Sequence, residues 1–431
     1  MATVRPFQGI FYDPHRVDLG RVVAPPYDVI TPADQQRYYR QDPHNVVRLI
    51  AGEVRPTDTP EDNKYLRAAG FFNAWLNEGT VRRDSKPAMH VYRHEFVDPL
   101  SGARKSRLGI LAVIELEPFG SGVLPHERTH ARAKADRLSL TRAVQANLSP
   151  VFALYDDAHS SIPQILTPVL SSAPRLSLTD ENGDRHTVWS VTEHQRLHNL
   201  AEVFAGSRLY IADGHHRYET ALNFRNKMRI EHPEAPADAG FNFVLMLLVD
   251  VRDPGLMILP THRLLHGLEG FDAHRLVDRL RARYQVTLRD GRQSLLAAMQ
   301  TPFADHRIGV VLPGKFATVD IARKPATDPI SELDVSLLHT EILEQELSLG
   351  ESMLEQERFV SYSRDLDTVL ERVEQGSAQA ALLLRPPAVN DVVAVARAGQ
   401  VMPQKSTYFY PKPASGIVFN PVDPAVRVQP V

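Results

Sequence analysis

The chain has no cysteine among its 431 residues. Disulfides, thiolate metal centres and a cysteine nucleophile are therefore excluded. It also lacks a long apolar run. The longest, Phe243 to Val249, falls far below the roughly 20 residues that a membrane-spanning helix needs. The opening Met-Ala-Thr-Val-Arg-Pro-Phe has no signal-peptide core. Charge of one sign is missing as well: 49 Lys and Arg stand against 52 Asp and Glu, a formal net charge of −3. Nothing global points to nucleic acid or to an anionic membrane as a partner. Internal repeats and low-complexity tracts are absent. What is present, 43% hydrophobic and 23% charged residues, is the composition of a soluble globular protein with a sizeable core. A cytoplasmic location is the expectation.

The order of apolar patterns and turn signals predicts two lobes and a returning tail. Thr31-Pro32 opens a helix, Thr31 as N-cap and Pro32 at the first helical position. A second helix reads from about Asp62 to Asn77, with Tyr65, Ala68, Phe71, Phe72 and Trp75 on one face. Met89 to Phe96 and Arg107 to Leu116 flank a hairpin turn. Short strands follow at 151–155 and 187–191, a helix at His194 to Val203, and a strand from Leu209 to Ala212. Phe241 to Val251 is a continuous apolar strand run, of the kind buried on both faces. From about residue 267, helices and strands alternate, including one long helix from Glu332 to Leu347. We expect a mixed α/β (α+β) protein with a first lobe over 1–266, a second α/β lobe over 267–400 and a tail over 401–431 that packs back on the first lobe.

The most informative stretch is Arg208-Leu-Tyr-Ile-Ala-Asp-Gly-His-His-Arg-Tyr-Glu-Thr-Ala-Leu222. A short apolar strand runs into an acid, a glycine, two histidines and an arginine, and a helical pattern then begins. That is the layout of an anion-binding turn: Gly214 permits a tight reversal, the helix start offers unpaired N–H groups, and Arg217 adds a fork of donors. Asp213 is able to hold a divalent metal or accept a proton, and His215 and His216 to bind phosphate oxygens or carry protons. The bland alternative is a polar helix end in which Asp213 merely caps.

Other segments carry candidate chemistry. Pro125-His126-Glu127-Arg-Thr-His130 formally matches H-E-x-x-H, the zinc-protease helix. The glycines and proline upstream and the lack of an apolar face argue instead for a polar loop using His126 and Glu127. Lys134 and Arg137 follow and offer phosphate contacts, against the alternative of a solvated, salt-bridged helix. His262 and Arg263 close an apolar strand run, where crevices form. Lys405-Ser-Thr407 and Leu312-Pro-Gly-Lys315 both lack the glycines of a P-loop at the right spacing, so a Walker site is rejected, with Lys405 kept as an anion contact from the tail.

Assembled, these segments resemble a bacterial and archaeal family known as domain of unknown function 1015, over nearly the full length. The resemblance rests on Ala24-Pro-Pro-Tyr-Asp-Val-Ile30, Pro125-His-Glu127, Lys134-Ala-Asp-Arg137, Ala146-Asn-Leu-Ser-Pro150, Ala212 to Ala221, Pro260-Thr-His-Arg263 and Met402 to Phe409. More remotely, Asp213-Gly-His-His-Arg217 is similar to the phosphate-binding turn of the ParB/sulfiredoxin-like fold, in particular of its free serine kinases. The sulfiredoxin branch needs a cysteine that this chain lacks. The DNA-binding branch needs basic helical domains that it also lacks. The kinase-like branch implies a ParB/sulfiredoxin-like first lobe, ATP or another nucleotide, and Mg²⁺ as cofactor.

The expected activity is nucleotide-dependent phosphoryl transfer to a small hydroxylated metabolite. Gly214, His215, Arg217, Lys134, Arg137, His262, Arg263 and Lys405 would bind phosphate. Asp213 would hold the metal or take the proton, together with His216, and His126 or Glu127 would be the alternative base. A non-catalytic nucleotide sensor and a phosphoester hydrolase are the alternatives. The partners expected are a nucleotide and a small molecule, without nucleic acid or membrane.

Overall fold

A computed structural model describes residues 1–128, 131–323, 328–350, 353 and 358–431. The chain is mixed α and β and divides into two compact units. The first holds residues 1–125, 129–256 and 411–431, and the second holds 126–128 and 257–410. No helix among the described residues is long and apolar enough to cross a membrane.

The first unit is built on a nine-stranded sheet. Its strands run in the order Val123–Leu124, Leu209–Asp213, Val151–Tyr155, Phe243–Asp250, Arg104–Glu115, Met89–Val97, Arg185–Val191 and Leu176–Thr179, with Val4–Arg5 added beside Arg104–Glu115. Val151–Tyr155 pairs parallel with Phe243–Asp250, and Leu209–Asp213 parallel with Val123–Leu124; the remaining pairings are antiparallel. One face carries Ile110, Ala112, Ala153, Met246 and Leu248 against Leu166, Leu200 and Phe204 of the helices Ser161–Leu170 and His194–Ala205. The alternate residues Leu111, Phe152 and Leu247 are buried as well. The middle of the sheet is thus covered on both faces, as the unbroken apolar run of Phe243–Asp250 leads one to expect. The helices Ala131–Val144 and His215–Glu231 pack on each other.

The expected N-cap at Thr31 forms a full capping box. Its side chain accepts from the Asp34 N–H, and the Asp34 carboxylate accepts from the Thr31 N–H at 3.1 Å, at the head of the helix Pro32–Gln41. The last residues belong to this unit: Asn420–Pro421 pairs with Ala146–Asn147, Phe419 bridges Ile10, and Ser415 bridges Ala24.

In the second unit a six-stranded sheet has the order Gln285–Arg289, Lys315–Ile321, His306–Leu312, Ala380–Leu383, His262–Leu265 and Val360–Ser363, and every pairing is antiparallel. Leu264, Val311, Leu383, Val369 and Val373 form its core. The strand His262–Leu265 is thus an interior strand of this unit. The boundary lies after Leu256, earlier than the one read at residue 266, because the sequence signal was the onset of alternation and missed the strand before it.

The long helix read from Glu332 to Leu347 is a 3₁₀ turn at Pro329–Glu332, a short α-helix at Asp334–Leu337 and a π-helical stretch at Leu338–Glu344. Its buried residues Leu338, Ile342 and Leu343 are spaced four and five apart, a pattern that apolar periodicity does not separate from an ordinary helix. The rejected P-loop at Lys315 is a tight hairpin, with Gly314 at φ +68° between paired strands. His130 of the H-E-x-x-H match lies outside the described residues.

Candidate functional site

The strand Leu209–Asp213 is buried from Leu209 to Ala212. Its register against Val151–Tyr155 shifts between Ile211 and Asp213, and Asp213 then lies opposite Phe152. Such a bulge re-aims the residue that follows it. Gly214 comes next at φ +94° and ψ 27°, a left-handed conformation that a side chain resists. A Cβ there would also stand 3.0–3.1 Å from the guanidinium of Arg217, which folds back over the turn. The helix His215–Glu231 starts at once, and its first closed bond is Tyr218 N–H to the Gly214 carbonyl at 3.0 Å. The N–H groups of residues 215 to 217 precede that ladder, at the positive end of the helix dipole.

Charged side chains converge on this turn. Arg217 donates to the Asp213 carboxylate and to the Pro150 carbonyl. Lys412, on the returning C-terminal segment, sits 2.8 Å from the other oxygen of Asp213 and also bonds Asp28. Burial alone would raise the Asp213 carboxyl, but Lys412 and then Arg217 hold it well below the usual carboxylate range. Lys412 is opposed by its own burial, yet Asp213 and Asp28 push it above the ordinary lysine range. His215 is buried and His216 half-buried.

Asp28 is held in place by the stiff Pro25-Pro26 lead into the 3₁₀ turn Tyr27–Val29. The ring of Tyr27 lies 3.9 Å from the guanidinium carbon of Arg137. Arg137 also bonds Asp136 at 2.9 Å and the Ile50 carbonyl at 2.8 Å. Lys134, two positions from the Asp136 cluster, pairs with Glu219 at 2.6 Å. It therefore braces the helix Ala131–Val144 against the motif helix.

The remaining candidates form a second group, within the second unit. Met402 N–H donates to the His126 carbonyl at 2.8 Å, and His126 Nε2 lies 2.9 Å from Thr407 Oγ1. Lys405, in a left-handed conformation at φ +56°, donates its N–H to Glu127 at 3.3 Å. Arg263 is fully buried and bonds the Thr261 and Gln404 carbonyls. Burial lowers it to about 10, against the opposing pull of Tyr362 and Glu127. His262 accepts the Leu384 N–H at Nδ1 (3.3 Å) and is lowered to about 4, first by burial and then by Arg263.

His126, Glu127, His262, Arg263 and Lys405 thus gather in one unit, and Asp213 to Arg217 with Lys134 and Arg137 in the other. Sequence reasoning missed Tyr27, Asp28 and Lys412 at the motif turn. The Pro25-Pro26-Tyr27-Asp28 run was a visible signal for the first two, but nothing local to Lys412 announces a bond 384 residues away. Among the described residues, no group of three His, Cys, Asp or Glu side chains is placed to hold a metal ion.

No curated protein matches the chain. Several solved structures are similar to it: a free serine kinase in complex with AMP (12% identity, 69% of this chain and 86% of that one, TM-score 0.36), a conserved hypothetical protein from Pyrococcus furiosus (12%, 69% and 90%, 0.33), and SbnI with a C-terminal truncation from Staphylococcus aureus (12%, 74% and 86%, 0.32). Residues 4–336, which take in both the Asp213–Arg217 turn and the His126–Glu127 segment, match the family described as "Protein of unknown function (DUF1015)", and the chain belongs to that family.

Proposed function

We propose that the Asp213–Arg217 turn binds the phosphates of a nucleotide and that the protein is a nucleotide-dependent phosphotransferase acting on a small hydroxylated metabolite. The observation that carries this reading is the convergence of Arg217 and Lys412 on a glycine-led helix start. Phosphoryl transfer asks a protein mainly for positioning and for neutralisation of charge, and two cations beside the positive end of a helix dipole supply both.

Asp213, held ionised by those cations, is a weak base. Its task in this reading is to fix Arg217 and Lys412 in place. Proton acceptance is assigned to His216, whose side-chain type titrates near neutrality. Mg²⁺ is commonly held by one or two carboxylates together with substrate phosphates; Asp213 would be the carboxylate nearest to it here, but its two oxygens are engaged by Arg217 and Lys412, so the phosphates would supply most of the ligands. The ion would neutralise phosphate charge during transfer.

The test is nucleotide consumption by the purified protein over a panel of hydroxylated acceptors, with calorimetric nucleotide binding in parallel. Arg217→Ala is expected to lower turnover about a hundredfold, the loss of roughly 3 kcal/mol of transition-state stabilisation. An unaltered rate in that variant sinks the assignment. Binding without turnover on any acceptor makes the protein a sensor, and phosphate release without an acceptor makes it a hydrolase.

A further inference from the structure

Behind the motif turn, within the first unit, lies a cavity of about 60 Å³. That is room for roughly four water-sized spheres at about 15 Å³ each. Its wall carries Arg217, Arg137, Tyr27, Asn147 and Thr220 over an apolar floor that includes Leu148 and Val244. No acidic side chain lines it among the described residues.

Three polar groups on this wall, Thr220, Asn147 and Tyr27, have a donor to offer. Thr220 is 2% exposed, and its hydroxyl has no hydrogen-bond partner. A buried helical threonine ordinarily bonds the carbonyl four residues back, so forgoing that bond is a cost seldom left unmet. Asn147 spends its carbonyl oxygen on the Leu245 N–H at 3.0 Å and on the Asn420 amide at 3.0 Å, which fixes its amide orientation and leaves an NH₂ to donate. Burial pushes the Tyr27 hydroxyl up, so it keeps its proton. Two guanidiniums also line the wall, Arg137 paired with Asp136 and Arg217 with Asp213, carboxylates that do not themselves line it.

We propose that this cavity is a binding site for a small oxyanion group, a carboxylate or a phosphoryl group, carried by the metabolite. The proposal rests on the phosphotransfer reading in so far as it names the acceptor's anchoring group. A cationic group would find no carboxylate among the lining side chains to balance it. An oxyanion of three to five heavy atoms accepts from Thr220, Tyr27 and Asn147 at once and faces both arginines.

The experiment is a thermal-shift and calorimetric titration with sodium acetate and with inorganic phosphate, each against sodium chloride at matched ionic strength. The proteins compared are the wild type, Thr220→Val and Tyr27→Phe. The expected result is a saturable stabilisation of the wild type by at least one oxyanion, weakened about tenfold in each variant; the stronger probe identifies the group. Thr220→Val removes a hydroxyl that bonds nothing, so it is expected to fold at least as stably as the wild type and to keep the test clean. Absence of saturable stabilisation by either oxyanion overturns the proposal, as does wild-type affinity in both variants. An ADP titration of the same proteins separates the two readings. Oxyanion binding without ADP binding discards the nucleotide site and keeps the cavity, whereas ADP binding without an oxyanion response discards the cavity alone.

Discussion

At the scale of single residues, Gly214 bears the most. Its φ of +94° places it in the left-handed region, and a Cβ there would stand 3.0–3.1 Å from the Arg217 guanidinium, which would have to shift by a few tenths of an ångström. Gly214→Ala therefore meets two penalties at once, backbone strain and displacement of the side chain that closes the turn. We expect it to cost about 1–2 kcal/mol in denaturant unfolding and to weaken nucleotide binding roughly tenfold, since Arg217 loses its position. Unchanged stability together with unchanged binding would show that the turn tolerates a side chain. The Asp213–Lys412 pair beside it is built for constancy. Asp213, lowered, contributes stability above its unfolded value, and that contribution is lost as pH falls through the folded one. Lys412, raised, contributes below its unfolded value, and that is lost as pH climbs through the folded one. Across the neutral range neither changes. The glycine, acid and arginine were legible in the sequence because a strand, a turn and a helix start dictate them locally. Lys412 and Asp28 were not, because their roles arise from chain segments that meet only on folding.

At the scale of elements, legibility followed the strength of local signals. Thr31-Pro32 announced a helix start, and the capping box with Asp34 is there. Thr31→Ala removes the side chain that accepts from the Asp34 N–H and frees the Asp34 carboxylate that answers it. The expected loss is about 1 kcal/mol, read as a shift in the urea midpoint with the slope unchanged. A wild-type midpoint would mean that the helix is held by its packing alone. Most strands of both sheets were found from apolar runs, within a few residues of their ends, but Val4–Arg5, Val123–Leu124, Leu176–Thr179, His262–Leu265 and Val360–Ser363 were not. The segment at 329–344 was misread because periodicity reports which side chains are buried, and a π-helical stretch buries nearly the same set as an α-helix. Lys134 shows the same limit for function. Its spacing from Arg137 suggested a phosphate contact, whereas its partner Glu219 lies on a neighbouring helix that no local pattern names.

At the scale of the molecule, the buried histidines set the response to acid. His90 lies between Phe7 and Phe11, with Ser190 3.0 Å from Nδ1, and burial, aided by Arg175, lowers it to about 3. His94 is lowered well below its ordinary value, chiefly by burial, and in the second unit His262 and His339 fall to about 4 and about 3 for the same first reason. Each stays neutral in the folded chain while its unfolded counterpart takes a proton below about 6.5. The unfolded state therefore binds more protons, and stability falls as pH drops below that value and keeps falling toward the folded values. Between pH 7 and pH 5, His90 alone accounts for about 2 kcal/mol of that loss. His90→Phe keeps an aromatic ring among the same neighbours but has no proton to gain. Urea unfolding at the two pH values should show the variant losing about 2 kcal/mol less than the wild type. An equal loss in both would mean that His90 is protonated in the folded protein, and the loss between the two pH values would then fall to His94, His262 and His339. The carboxylates have a distinct signature: among the lowered ones, Asp136 titrates at about 2, so its stabilisation stays intact at pH 5 and disappears only in far stronger acid.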